Sequence, residues 1–218
     1  MIAPAARSVV DGAAAPVDTE PGGSVAGACG PRPGRPRSAA ADQAILDATI
    51  DLFADLGFEG VSIEAVAERA GVAKSTVYRR YPTKIDLIMA SWQGCGPDLE
   101  GPIDTGAIDS DLLAAAHRLR SVFTESRKGK AVPAALSAAA RFPEFAEAHH
   151  AFLGERRAPI LATVTGAVAR GELRADTDPE LLIDLVTGPI FYRAFNSGGT
   201  LTDDDLVAIV THALASFR

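Results

Sequence analysis

The sequence predicts an all-α protein: an N-terminal three-helix helix–turn–helix unit followed by a C-terminal helical bundle, about nine helices in total. Three observations carry this. Apolar residues recur at i, i+3 and i+4 and nowhere alternate as in a strand. Helix starts are written out as cap residues: Ser38, Ser62, Thr83 with Asp86, Asp178 with Pro179, and Thr202 with Asp205. No apolar run approaches the roughly 18 residues a membrane span needs. With 47% hydrophobic and 22% charged residues, the 218-residue chain reads as soluble and globular.

The elements follow in order. Residues 1–31 are rich in Ala, Gly and Pro, hold no helical period, and read as a disordered tail. Asp11 and the prolines break any signal-peptide core, and an over-called start codon is the alternative. Arg32, Arg35 and Arg37 form a basic arm, so residues 32–83 read as arm plus helix–turn–helix domain and residues 84–218 as a second domain. The first helix runs from Ser38 to Leu56, with Ile45, Ala48, Thr49, Leu52, Phe53 and Leu56 as its inner stripe and Gly57 after it. Ser62 caps the second helix, Gly71 ends it, and Val72 and Val77 anchor the third from below. A fourth helix opens at Thr83 and ends near Gln93.

After a loop over 94–110, helices are expected over 111–128 and 132–142, then from Pro143 or Glu144 to Arg170, with a bend at Pro159. Asp178–Phe195 follows, kinked at Gly188-Pro189, and a last helix runs from Thr202 to Phe217.

Charge singles out the third helix. The chain carries a net charge of −7, yet from Arg69 to Ile85 there is no acid and there are Arg69, Lys74, Arg79, Arg80 and Lys84. A short basic helix held at a fixed angle by a partner helix is a device for entering a DNA major groove. Lys74, Ser75, Tyr78 and Arg79 fall on its outer face, where base edges would lie. The acidic remainder would repel phosphates, so only this face can dock.

The run from Ile45 to Ala90, ILDATIDLFADLGFEGVSIEAVAERAGVAKSTVYRRYPTKIDLIMA, closely resembles the DNA-binding domain of the TetR family of bacterial transcriptional regulators. Gly34 to Arg37 looks like the basic arm that leads into it, and Gly171 to Arg193 resembles the end of a common ligand domain of that family. The resemblance implies base contacts from Lys74 and Ser75, and a thymine-methyl or phosphate contact from Tyr78. It implies phosphate contacts from Ser62, Thr76, Arg80 and Lys84. Two departures stand out: Glu64 replaces a base-reading Arg of some members, and Ala73 replaces the usual capping Ser.

The expectation is thus a cytoplasmic, homodimeric regulator of double-stranded DNA, a repressor released from a pseudo-palindromic operator by a small organic effector. An architectural DNA-binding protein without effector, or a small helical enzyme, are the alternatives. The candidates to line an effector cavity are Trp92, His117, Phe123, Phe142, Phe145, His149 and Phe152, aromatics with a few orienting histidines. None of Arg118, Arg120, Arg141, Arg156 and Arg157 sits on an apolar stripe, which points to an uncharged or weakly charged ligand. The dimer face is expected on the last two helices, through Leu182, Leu185, Val186, Leu206, Ile209, Val210, Ala213, Leu214 and Phe217. No catalytic constellation, metal spacing or cofactor motif is present, and Cys29 and Cys95 make no framework.

Overall fold

A computed structural model describes residues 39–94 and 103–218. They form nine α-helices, one π-helical segment and no strand. The tail over 1–31, the arm arginines Arg32, Arg35 and Arg37, the cap Ser38 and both cysteines lie outside the described residues.

Helices α1 (Ala39–Gly60), α2 (Ile63–Ala70) and α3 (Lys74–Arg80) form the helix–turn–helix unit, and α4 (Lys84–Gly94) leads out of it. The body consists of α5 (Ile108–Glu125), α6 (Arg127–Arg141), α7 (Pro143–Ala169), α8 (Pro179–Tyr192) and α9 (Asp203–Ala215), with a π-helical segment, Arg193–Ser197, after α8.

The caps act as the sequence implies. Ser62 Oγ accepts from the Ala65 N–H at 3.1 Å. Gly71 sits at φ 66°, a left-handed conformation open to glycine at no steric cost, and its N–H closes α2. Thr83 and Asp86 bond each other reciprocally at the start of α4, as do Thr202 and Asp205 at α9. The Asp205 carboxyl is held at about 2, first by the Thr202 backbone N–H, then by hydrogen bonds from Arg193 and the Thr202 hydroxyl. Asp178 caps α8 through the N–H groups of Glu180 and Leu181.

Three boundaries differ from the sequence reading, each for a physical reason. Helix α5 begins at Ile108 rather than Asp111, because Glu172, distant in sequence, accepts from the Ile108 N–H at 2.7 Å. The expected gap between α5 and α6 is absent. Ser126 serves both helices, donating to the Val122 carbonyl and accepting from the Gly129 N–H. This tight junction needs Gly129, where a Cβ would lie 2.1 Å from the Phe123 carbonyl oxygen. Helix α8 runs through Gly188-Pro189, held by the buried Val186 and Ile190 on either side, and widens only at Arg193.

The buried side chains form two clusters. The first joins α1–α4 to α6 and the front half of α7, through Ile45, Phe53, Val66, Val77, Leu87, Ala131 and Phe145. It therefore runs across the boundary placed at residue 83. The second is aliphatic and joins α5, the rear half of α7, α8 and α9, through Leu112, Val164, Leu182, Ile190, Leu206 and Leu214.

That second cluster corrects the expected dimer face. Leu182, Val186, Leu206, Val210, Ala213, Leu214 and Phe217 are buried within the protomer's own core, and Ile209 packs against it. Of the residues expected at the interface only Leu185 is well exposed. Both α8 and α9 carry two apolar stripes side by side, and the fold turns the richer one inward.

Candidate functional site

The outer surface of α3 is the first candidate. Val77 is fully buried and fixes the helix against α2, while Lys74, Ser75, Tyr78 and Arg79 are exposed, Tyr78 at 51%. Arg79 makes no ion pair among the described residues, and Lys74 makes a loose one with Glu64 at 3.7 Å. Ala73 gives α3 no side-chain cap, and the Thr76 N–H is answered by the Ala73 carbonyl at 2.8 Å. Ser62 is exposed beside this face, and its capping hydroxyl still has a proton to donate.

Two residues expected on phosphates are turned away. The Arg80 side chain is only 12% exposed and pairs with Asp42 of α1 at 2.6 Å, which ties the recognition helix to the first helix. Lys84 reaches back to the Glu59 carbonyl at 3.4 Å and lies 4.3 Å above the Phe58 ring. Burial holds its ammonium below the usual lysine range, against the opposing pull of Glu59. Thr76 is half-buried.

The second candidate is a cavity of about 510 Å³ among α4, α5, α6, α7 and α8. That volume suits a drug-sized organic ligand. Of the expected lining residues, Trp92, Phe123, His149 and Phe152 are there. Three are not. His117 points the other way, toward Asp203 at the start of α9 at 3.6 Å. Phe142 and Phe145 pack behind the wall, against Phe58 at 4.6 and 5.3 Å between ring centres.

Sequence reasoning missed much of the rest. The inward stripe of α5, including Leu112, Leu119 and Val122, lines the cavity while Leu112 and Leu119 also pack in the second cluster, and Ile183, Val186 and Phe191 of α8 face it. It also missed the charges: Arg118, Lys128, Arg156 and Arg157 all reach the lining, with Asp184 the one acid among the described lining residues. Arg157 is engaged by Glu180 and Asp184 at 2.6 and 2.8 Å, and Arg156 lies 5.2 Å from the Phe152 ring centre. Burial does not separate lining from core, since Leu112, Val122, Ile183 and Val186 are all buried, so the helical stripe alone carried no signal for the void.

The cavity and the helix–turn–helix unit share walls. Trp92 lies at the end of α4, the helix that leaves α3. The rings of Phe58, Phe145, His149 and Trp92 follow one another at 5.3, 5.7 and 6.3 Å, with His149 stacked on Phe145. Helix α6 lines the cavity on one side and grips α1 on the other, where Arg127 meets Asp47 and Asp51 at 3.5 and 3.2 Å and Arg141 meets Glu59 at 3.2 Å. His149 is held below the ordinary imidazole value, mainly by burial and secondarily by His150, so it is neutral near pH 7.

Among the described residues no cluster of three His, Cys, Asp or Glu could hold a metal ion, and no helix is long and apolar enough to cross a membrane.

Comparison with known proteins agrees with this geometry in both halves. Residues 45–90 match the family described as bacterial regulatory proteins, tetR family, and residues 102–213 match the tetracyclin repressor-like C-terminal domain. The HTH-type transcriptional regulator YdeS of Bacillus subtilis is 34% identical over 181 residues, which is 83% of this chain and 91% of that protein. The DNA-binding transcriptional repressor TetR of Mycobacteroides abscessus is 29% identical over 196 residues, 81% of this chain and 95% of that protein. The crystal structure of the TetR family transcription regulator SCO0332 superimposes with a TM-score of 0.62 at 26% identity, covering 80% of this chain and 97% of that one. The exposed cationic helix, the cavity behind it and these likenesses together mean that the chain belongs to the TetR family of DNA-binding transcriptional regulators.

Proposed function

We propose that the protein is a cytoplasmic, homodimeric repressor that a small organic molecule releases from a pseudo-palindromic operator. The observation that carries the coupling is that α4 joins the two sites: its start is capped by Thr83 directly after α3, and Trp92 near its end lines the cavity. Lys74, Ser75, Tyr78 and Arg79 read bases. Ser62 and Thr76, with Arg35 and Arg37 of the arm, hold phosphates. Arg80 and Lys84 act within the protein, fixing the angle of α3 and the exit of α4.

Two copies pair through the outer stripes of α8 and α9, closing a four-helix bundle. Leu181, Leu185 and Tyr192 lie along one face of α8, and Val207 on α9 is flanked by the small Ala208, Thr211 and Ala215. The pair would set two α3 helices roughly 34–36 Å apart, one turn of DNA. A ligand against Trp92 favours a placement of α4 that carries α1–α3 out of that spacing, because α4 and α1 share the first core.

The test is selection of bound duplexes from a random pool, followed by a screen of apolar compounds for release. A half-site repeat at one-turn spacing, and release by a compound that also raises thermal stability, is the expected result. Binding without sequence preference, or release by none of the stabilising compounds, would refute the reading.

A further inference from the structure

The chemistry of the cavity wall narrows the ligand. Trp92 Nε1 and His149 Nδ1 are buried and have no hydrogen-bond partner among the described residues, and both residues line the cavity. Their exposures are 6% and 7%. Buried polar atoms are almost always hydrogen-bonded, so two orphans on one wall call for a partner that enters the cavity. The two rings are neighbours, with centres 6.3 Å apart and edge to face. Phe145 covers one face of His149 and Phe152 lies beside Trp92 at 6.1 Å, so apolar rings back both groups.

The atoms dictate what the partner must be. An indole N–H can only donate. Nδ1 of a neutral imidazole donates or accepts according to its tautomer. A carboxylate or carbonyl oxygen can accept from both, and a hydroxyl can accept from Trp92 and donate to His149. An ammonium group has donors only, so it leaves the indole N–H unanswered. It also meets a wall whose one acid among the described lining residues, Asp184, is already held by Arg157.

We propose, resting on the effector reading above, that the cavity takes an amphipathic molecule whose one polar end is a hydrogen-bond-accepting oxygen received by Trp92 Nε1 and His149 Nδ1. Its apolar body lies along Leu112, Leu119 and Val122 of α5 and Ile183, Val186 and Phe191 of α8. Within the uncharged or weakly charged ligands expected from the sequence, the class narrows to oxygen-headed amphiphiles, and cationic ones are rejected.

Trp92 is the only tryptophan in the chain, so its fluorescence reports this wall alone. The experiment titrates the full chain with decanoate, decan-1-ol and decylamine below their aggregation limits, reading Trp92 emission and, in parallel, release of operator DNA. Decanoate and decanol are expected to bind at least tenfold more tightly than decylamine, and their ratio tells a charged oxygen head from a neutral one. Trp92→Phe and His149→Phe, followed by calorimetry, should each weaken the oxygen-headed probes by about fivefold to tenfold, the worth of one hydrogen bond, and leave decylamine unchanged.

Equal or tighter binding of decylamine, failure of all three probes to bind, or variants with wild-type affinity would each overturn the proposal. The probe ranking on the wild-type protein decides the matter even where a variant fails to fold. Binding of the oxygen-headed probes without release of DNA would uphold this assignment and sink the repressor reading. Release by decylamine would do the reverse.

Discussion

The two cores differ in what they are made of. The first, around the helix–turn–helix unit, is rich in rings: Phe53, Phe58, Trp92, Phe142, Phe145 and Phe152 form one connected set by way of His149, contributed by α1, α4, α7 and the junction before α7. It carries the two orphan nitrogens of Trp92 and His149. It is also laced to α6 by the ion pairs of Arg127 and Arg141. The second, under α8 and α9, is packed almost wholly with Leu, Ile, Val and Ala. Helix α7 runs through both, with Phe145 in the first and Val164 in the second, and the cavity opens where they meet. Both cores contribute to the cavity wall, Trp92, Val132 and Phe152 from the first and Leu112, Ile183 and Val186 from the second. The division is one of composition: an aromatic core behind the helix–turn–helix unit and an aliphatic one under α8 and α9, with the proposed ligand site walled by both.

Removing one large side chain from each core is the strongest way to challenge that division. Phe145→Ala should cost about 3–5 kcal/mol and Leu206→Ala about 2–5 kcal/mol, since both positions are fully buried. Both should shift one cooperative transition in urea, because Phe123 packs against both clusters and α7 is shared. Two separate transitions in either variant would mean that the cores fold independently.

The next effect separates the inner from the outer stripe of the rear scaffold. Val210→Glu places a charge in the second core and should unfold the protein or cost several kcal/mol, since an unpaired buried charge cannot be tolerated. Leu185→Glu alters a side chain that is 42% exposed and should give a folded monomer with weak operator binding. Sedimentation beside circular dichroism distinguishes them, and a Leu185→Glu variant that remains dimeric would place the interface elsewhere.

The front has the same inner and outer logic. Tyr78→Ala or Arg79→Ala should weaken specific DNA binding by roughly 1–3 kcal/mol at unchanged thermal stability, the worth of a base contact. Arg80→Ala should instead lower stability, by loss of the Asp42 pair and of the packing of its stem. An Arg80 variant of wild-type stability with a reduced salt dependence of binding would return that residue to the phosphates.

The smallest effect is the pH response of the front core. His149 is kept neutral in the folded protein, mainly by burial. Its contribution to stability is therefore complete above the ordinary value of 6.5 and is lost as pH falls from there toward the depressed folded value, because the unfolded chain takes up the proton first. His149→Phe should flatten the stability profile over that window. A profile of the same slope in the variant would assign the response to other groups.

What the sequence disclosed and what it withheld divide along the same physical line. The caps at Ser62, Gly71, Thr83, Asp178 and Thr202 were legible because each bond closes within three or four residues, so the answer lies in adjacent letters. The exposed face of α3 was legible for the same reason. Arg80 was not, since its partner Asp42 lies on another helix and nothing local shows which way a long cation will swing. His117 was misjudged because α5 has two usable faces and the charge of Asp203 decides between them. The inward stripes of α8 and α9 were mistaken for the outward ones because each helix is apolar on two neighbouring faces. The cationic rim of the cavity escaped because Arg118, Arg156 and Arg157 enter the lining from off-stripe positions, which periodicity does not capture.

The central claim is that occupancy of the cavity and grip on the operator are coupled, and coupling between two binding sites is reciprocal. Fluorescence of Trp92, the chain's one tryptophan, measures ligand affinity directly, and the titration can be run on the free protein and on the protein saturated with selected operator duplex. The account predicts that operator weakens the ligand by the same factor by which the ligand weakens operator, about 5- to 150-fold for a typical coupling. Equal ligand affinity with and without operator would contradict it.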